Sequence, residues 1–316
     1  MTNSRAGEAT GMPANPQRRV TAWVGAHAAQ RVLPLVAPPP RFRVASRRIA
    51  EPECIDVPTR HGKVKCLIYR PNPDAPLAQS GVGRLPVDLH LHGGAFIVRH
   101  PRHEEYIAEY IASEVGAVVV LADYATAPQV QYPVAEEQCF DIARWIRTAA
   151  GERGWDAARI SVSGASAGAK LAINVCQQAY PGREIRLRAA ALAFPVLDLS
   201  RADRTSAKRH PRISRPVQRL AIDAYVVDPR ARSQPLASPV FDASLADAMP
   251  PTLIITGELD TLGPEGDRLA HDLAGRGVAV THHRLPSIDH GFTRSQAPSA
   301  HAALRMIGSH LMTNLT

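Results

Sequence analysis

The sequence predicts an α/β fold, a mostly parallel sheet covered by helices on both faces, and two observations carry that prediction. First, near-continuous apolar runs at 87–91, 118–124, 160–163 and 189–196 alternate with helical stretches at 104–115, 135–149 and 167–178. Strands buried on both faces read as such runs, and the helices between them provide the crossovers that parallel strands need. Second, the alternation breaks after Asp198 and then resumes, with strands at 252–256 and 278–285 and helices at 265–274 and 297–311. An interruption between strands of one sheet reads as an insertion packed over the sheet's carboxyl end.

In chain order, residues 1 to about 20 mix Gly, Pro, Asn and Arg without periodicity and are expected to be mobile. From 21 to 36, Trp23, Val24, Ala28, Val32 and Leu35 recur at near-helical spacing, with Pro34 placed to end the helix early and Pro38, Pro39 and Pro40 to stop it. A helix this far ahead of the main domain should lie on something. Strand-like pieces follow at 49–57 and 64–69, and 71–86, with Gly81 and Gly83, reads as a surface loop. Residues 201–235 are dense in Arg, Pro and Ser and hold one modest helix at 216–227. The chain is therefore divided into 1–45, an N-terminal helical segment with a mobile start, and 46–316, the main domain, with the insertion at about 200–236. No internal repeat is visible.

Composition limits the function classes. Hydrophobic residues make up 45% of the 316 and charged residues 21%, the balance of a soluble globular protein. The net charge of +8 comes from arginines scattered through every segment, which favours a solvated basic surface over a nucleic-acid site. Cys54, Cys66, Cys139 and Cys176 form no C-x-x-C pair and no metal-like spacing, so free thiols, no metal and a reducing compartment are expected. No apolar run approaches the ~20 residues of a membrane span. The apolar piece near the N-terminus is short and interrupted by His27, unlike a signal peptide. The expectation is a cytoplasmic protein without stable membrane insertion, with homodimerisation left open.

In open α/β sheets chemistry gathers at the carboxyl ends of the strands. Behind the strand at 160–163 comes Gly164-Ala165-Ser166-Ala167-Gly168. A serine between a buried strand and a helix must occupy a sharp elbow for its hydroxyl to stand clear, and flanking glycines leave room for that turn. Alone, the pattern also fits an ordinary Gly/Ser turn. Context decides in favour of a nucleophile. Behind the strand at 87–91 lies His92-Gly93-Gly94-Ala95-Phe96, whose consecutive glycines let bare N–H groups approach a developing oxyanion that Ala167 N–H also reaches. Behind the last two strands stand Asp260 and His290. His290 is placed as the base, and Asp260 as the group that fixes its tautomer. Asp289 and Glu258 rival Asp260, although a sequence neighbour of His290 has difficulty reaching round to its far nitrogen. The order Ser166, Asp260, His290 is that of an α/β-hydrolase.

HGGAF, YATAPQVQYP (124–133), GASAG, ASP (237–239), GELDTL and DHGF together resemble the hormone-sensitive-lipase-like family of α/β-hydrolases, its bacterial carboxylesterase branch, from about Pro86 to the C-terminus. The resemblance implies an eight-stranded sheet and a cap made of the N-terminal helices and the insertion. It implies ester hydrolysis through Ser166, Asp260 and His290, an oxyanion hole of Gly93, Gly94 and Ala167, and Phe96 as a substrate contact. The chain departs from the family pattern in having Ala165 and Ala169 around the nucleophile, Ala95 for a third glycine, and Gln138 where an acidic residue is usual. The expected activity is hydrolysis of short- to medium-chain acyl esters through an acyl-enzyme, with no cofactor. An amidase or formamidase with the same triad, and a catalytically silent ligand-binding protein on the same fold, are the alternatives. The arginines of the insertion (Arg201, Arg204, Arg209, Arg212, Arg215, Arg219) read as a wet surface in preference to an anion-attracting one.

Overall fold

A computed structural model describes residues 16–36, 44–79, 83–99, 101–182, 184–294 and 298–316. Most of the stretch expected to be mobile, and Pro38–Pro40, lie outside the described residues. Helix α1 (Pro16–Val36) continues past Pro34, so the early stop does not occur. A proline in the last turn removes little of the hydrogen-bond ladder. Strands β1 (Glu53–Thr59) and β2 (Gly62–Tyr69) form an antiparallel hairpin. The expected loop at 71–86 contains one short helix, α2 (Pro76–Gln79), and the start of β3 (Leu85–Leu91).

The alternating core follows: α3 (Glu105–Tyr110), β4 (Val118–Ala122), α4 (Val134–Arg153), β5 (Trp155–Ala165), α5 (Ala167–Gly182) and β6 (Leu187–Ala193). The single helix expected at 104–115 is instead three pieces: a 3₁₀ turn at Pro101–Glu104, α3, and a π turn at Ile111–Val115 closed by Gly116 N–H to Ile111 O. Gly116 has φ +91°, and a Cβ there would meet the Leu77 and Ala78 nitrogens of α2 within 2.8 Å. The close approach of α2 thus forces the chain to leave the helix at a glycine. Beyond β6 come α6 (Arg215–Tyr225), α7 (Leu245–Ala248), β7 (Thr252–Gly257), α8 (Gly263–Gly275), β8 (Val280–Leu285) and α9 (Pro298–Leu315).

The eight strands form one sheet in the order β1-β2-β4-β3-β5-β6-β7-β8. Pairs β1/β2 and β2/β4 are antiparallel and the other five parallel, as expected for the fold class. Strand residues alternate between two cores. Val118, Val120, Leu89 and Val162 pack with α4, α5 and α8, whereas Val119, Leu121, Ala191 and Ile255 pack with α3 and α9. On the first face α1 lies against α6 of the insertion, burying Ala22 and Ala26. Gln30 tethers the helix from above: its Nε2 donates to the carbonyls of Ile97 and Ala127, both at 2.9 Å. Cys54, on edge strand β1, is exposed, while Cys66, Cys139 and Cys176 are buried free thiols.

Candidate active site

Ser166 occupies the one-residue turn between β5 and α5 at φ +54°, a left-handed conformation that costs a non-glycine residue roughly 1–3 kcal/mol. Its flanking glycines are required by contact. A Cβ on Gly164 would lie 2.4 Å from Gly168 O, and one on Gly168 would lie 1.9 Å from Leu91 O. The turn is held by Ser166 N–H donating to Ala193 O at 2.9 Å.

His290 reaches Ser166 from the loop after β8, with Nε2 2.9 Å from Oγ, and its Nδ1 is 2.8 Å from Asp260 Oδ2. Asp260 keeps its other oxygen for Leu262 N–H at 2.9 Å. Ser166, Asp260 and His290 are all buried. An acceptor carboxylate on Nδ1 puts the proton there and leaves Nε2 free to accept from the serine hydroxyl. The two rival carboxylates are engaged elsewhere. Glu258 accepts from Ser287 N–H at 2.7 Å. Asp289 pairs with Lys208 at 2.9 Å and accepts from the backbone N–H groups of His290 and Arg212. Burial alone would raise the Asp289 carboxyl, but these donors hold it below the usual aspartate range.

Two elements that sequence reasoning missed complete the setting. Phe194, at φ +40° just after β6, places its ring edge-on to both His290 and Phe292 at 4.8 Å. The insertion clasps the loops of the base and acid. Arg212 Nη1 donates to His290 O at 3.3 Å, and Ser206 Oγ donates to Leu259 O at 2.5 Å. The insertion's arginines are therefore not uniformly wet: Arg204 is buried against Glu265 and also binds the carbonyls of Asp198 and Arg201.

The HGGAF loop meets its expectation in part. Tyr124 stacks on the His92 ring at 4.4 Å and donates its hydroxyl to His92 O at 2.6 Å, and burial pushes the His92 imidazole below its ordinary value. Gly93, expected as an oxyanion donor, has its N–H committed to Glu104 Oε2 at 3.0 Å, which removes it from that role. Among the described residues the N–H groups of Gly94, Ala95 and Ala167 have no partner. Ala95 stands at φ +55° in the same turn. Phe96, expected to touch substrate, is 2% exposed and stacks on Tyr225 at 4.3 Å, so it is a core residue beneath the insertion. The position usually acidic, Gln138, does its work without charge: Oε1 accepts from Ala125 N–H at 2.8 Å.

Behind the elbow lies a buried ion pair. Lys170, one turn beyond Ser166 on α5, pairs with Glu136 of α4, and Tyr225 of α6 donates its hydroxyl to the same carboxylate at 2.6 Å. The rings of Phe96, Tyr132 and Tyr225 surround the ammonium with centroids 5.5–5.9 Å away. Burial lowers the Lys170 ammonium from its ordinary value, against the pull of Glu136. No group of His, Cys, Asp and Glu among the described residues is arranged to hold a metal ion.

A strained serine elbow fed by a histidine and a carboxylate, at the carboxyl ends of a mixed eight-stranded sheet, defines a class of hydrolase. A family profile described as alpha/beta hydrolase fold matches residues 89–294, and the chain belongs to that family. Within it the chain is 31% identical over 272 residues to an ethyl acetate hydrolase of Pseudomonas putida, covering 80% of this chain and 81% of the relative. An arylesterase of Saccharolobus solfataricus is 29% identical over 228 residues, 71% and 73% of the two chains. A solved hyperthermophilic esterase from the archaeon Pyrobaculum calidifontis superposes with a TM-score of 0.76 at 26% identity, over 96% of this chain and 99% of its own. The resemblance to the hormone-sensitive-lipase-like carboxylesterases is thereby borne out.

Proposed function

We propose that the chain is a serine carboxylesterase that hydrolyses short- to medium-chain acyl esters through an acyl-enzyme on Ser166. The observation that carries the reading is the continuous hydrogen-bonded line Ser166 Oγ, His290 Nε2, His290 Nδ1, Asp260 Oδ2. The kinship with esterases supports the ester as substrate class. In this mechanism Ser166 Oγ attacks the ester carbonyl while His290 takes its proton. The imidazolium, held by Asp260, then protonates the leaving alcohol, and water repeats the sequence on the acyl-enzyme. The oxyanion is assigned to the N–H groups of Gly94, Ala95 and Ala167, which have no intramolecular partner among the described residues. The cap is assigned to α1 and the insertion, which pack on one another above the HGGAF loop. No described helix is long and apolar enough to cross a membrane. A cytoplasmic setting remains part of the proposal.

The test is a series of nitrophenyl esters of rising acyl length, with matched anilides, against wild type and Ser166→Ala. The expected result is ester turnover that peaks at short or medium chains and falls at least about 10⁴-fold in the variant. Undiminished turnover in Ser166→Ala sinks the nucleophile, and anilides preferred to esters make the enzyme an amidase.

A further inference from the structure

A second line of buried polar groups runs up β3 to the turn that faces Ser166. Asp88 is fully buried and accepts from Ser161 Oγ at 2.7 Å and Ser163 Oγ at 2.5 Å. Because the Ser163 hydroxyl donates to Asp88, its oxygen is left to accept from His90 Nδ1 at 2.8 Å. His90 Nε2 lies 3.4 Å from Glu104 Oε2, without hydrogen-bond alignment. The same Glu104 oxygen accepts Gly93 N–H at 3.0 Å. A Cβ on Gly93 would lie 2.9 Å from Glu104 Oε1 and 3.5 Å from Ser166 Cβ, so this carboxylate stands next to the elbow. Yet Glu104 takes no part in the hydrogen-bonded line of Ser166, His290 and Asp260.

We propose that Glu104 is a positioning residue for the oxyanion turn, backed by His90, Ser163 and Asp88. Glu104 acts through Gly93. Three consecutive N–H groups, Gly93 to Ala95, sit in one tight turn, and anchoring the first fixes the direction of the next two. Without an acceptor at Glu104, the half-buried Gly93 N–H would lose its partner, and the turn would be free to rotate and draw Gly94 and Ala95 away from the reacting oxygen. The carboxylate is carried by the 3₁₀ turn at Pro101–Glu104 and packs against the buried His90 ring, so its aim is set before substrate arrives. This inference rests on the esterase reading for its kinetic consequence and on the geometry alone for its structural one.

Two variants of nearly equal volume separate the acceptor from the bulk. Glu104→Gln keeps an oxygen that can receive Gly93 N–H, whereas Glu104→Met does not. With a nitrophenyl ester, kcat is expected to fall about 100-fold in Glu104→Met with KM within threefold, and to stay within about fivefold of wild type in Glu104→Gln. Hydrogen exchange of the Gly93 amide, followed by NMR in the full chain, is the independent reading. Gly93 lies outside every helix and strand, yet its amide should be protected in wild type and Glu104→Gln and should exchange freely in Glu104→Met. Wild-type kcat in Glu104→Met, or a freely exchanging Gly93 in folded wild type, overturns the proposal. If either variant fails to fold, the wild-type exchange rate still decides it. If wild type turns over no ester, the esterase reading fails while the exchange result stands.

Discussion

At the scale of single residues, the chemistry depends on which carboxylate meets His290. Asp260→Asn preserves size but presents an amide to Nδ1, favouring the wrong tautomer, and kcat should fall about 10⁴-fold. Glu258→Gln alters a group that binds Ser287 N–H and should leave kcat within twofold in the same assay. Asp289 has a different task. Its depressed proton affinity means that the folded state favours the carboxylate, so its contribution is complete above the ordinary aspartate value of ~3.9 and is lost as pH falls through the lower folded value. Asp289→Asn should therefore lower stability by roughly 1 kcal/mol at pH 7, a few degrees in Tm, with the gap closing only below pH ~4. A gap that persists unchanged at pH 3 in thermal melts would contradict the Lys208 pairing.

Among the elements, the junction of α4, α5 and α6 carries the largest local risk. Lys170→Met alone leaves Glu136 buried and unpaired, and should cost about 3–5 kcal/mol in urea unfolding. Lys170→Met with Glu136→Gln removes both charges, keeps an acceptor for Tyr225, and should recover most of that loss. Gly168→Ala is expected to abolish folding, because the added methyl overlaps the Leu91 carbonyl and α5 cannot retreat without moving Ser166. Elements were legible in the sequence where burial is two-sided. β4 and β6 read directly from their apolar runs. β5 extends back to Trp155 through Asp156 and Arg159, whose polarity hides the strand and whose pairing with β3 shifts register before Ile160. The polar edge strand β8 was caught because apolar residues mark its two ends.

Across the whole molecule, the three groups of the candidate site were legible because each follows a strand that the pattern exposes. What lay hidden depends on contacts between distant segments. Nothing near Gly93 announces that Glu104, eleven residues on, takes its N–H, and nothing near Phe96 announces that Tyr225 covers it. The insertion illustrates the same limit: Arg204 and Arg212 look like any surface arginines until Glu265 and the His290 loop come beside them. Ala165, in place of the usual aspartate, is fully buried at the end of β5, paired with Ala193.

The distribution of thiols has a practical consequence. Burial pushes the Cys176 thiol up to about 12 and those of Cys66 and Cys139 upward as well, so none of the three presents a thiolate at neutral pH. Cys54 stands exposed on the outer strand. A maleimide dye should couple with a stoichiometry of one, and mass spectrometry of a Cys54→Ser variant should find none. The native chain thus comes with its own single attachment point, ready for surface immobilisation or a fluorescent reporter without engineering a cysteine.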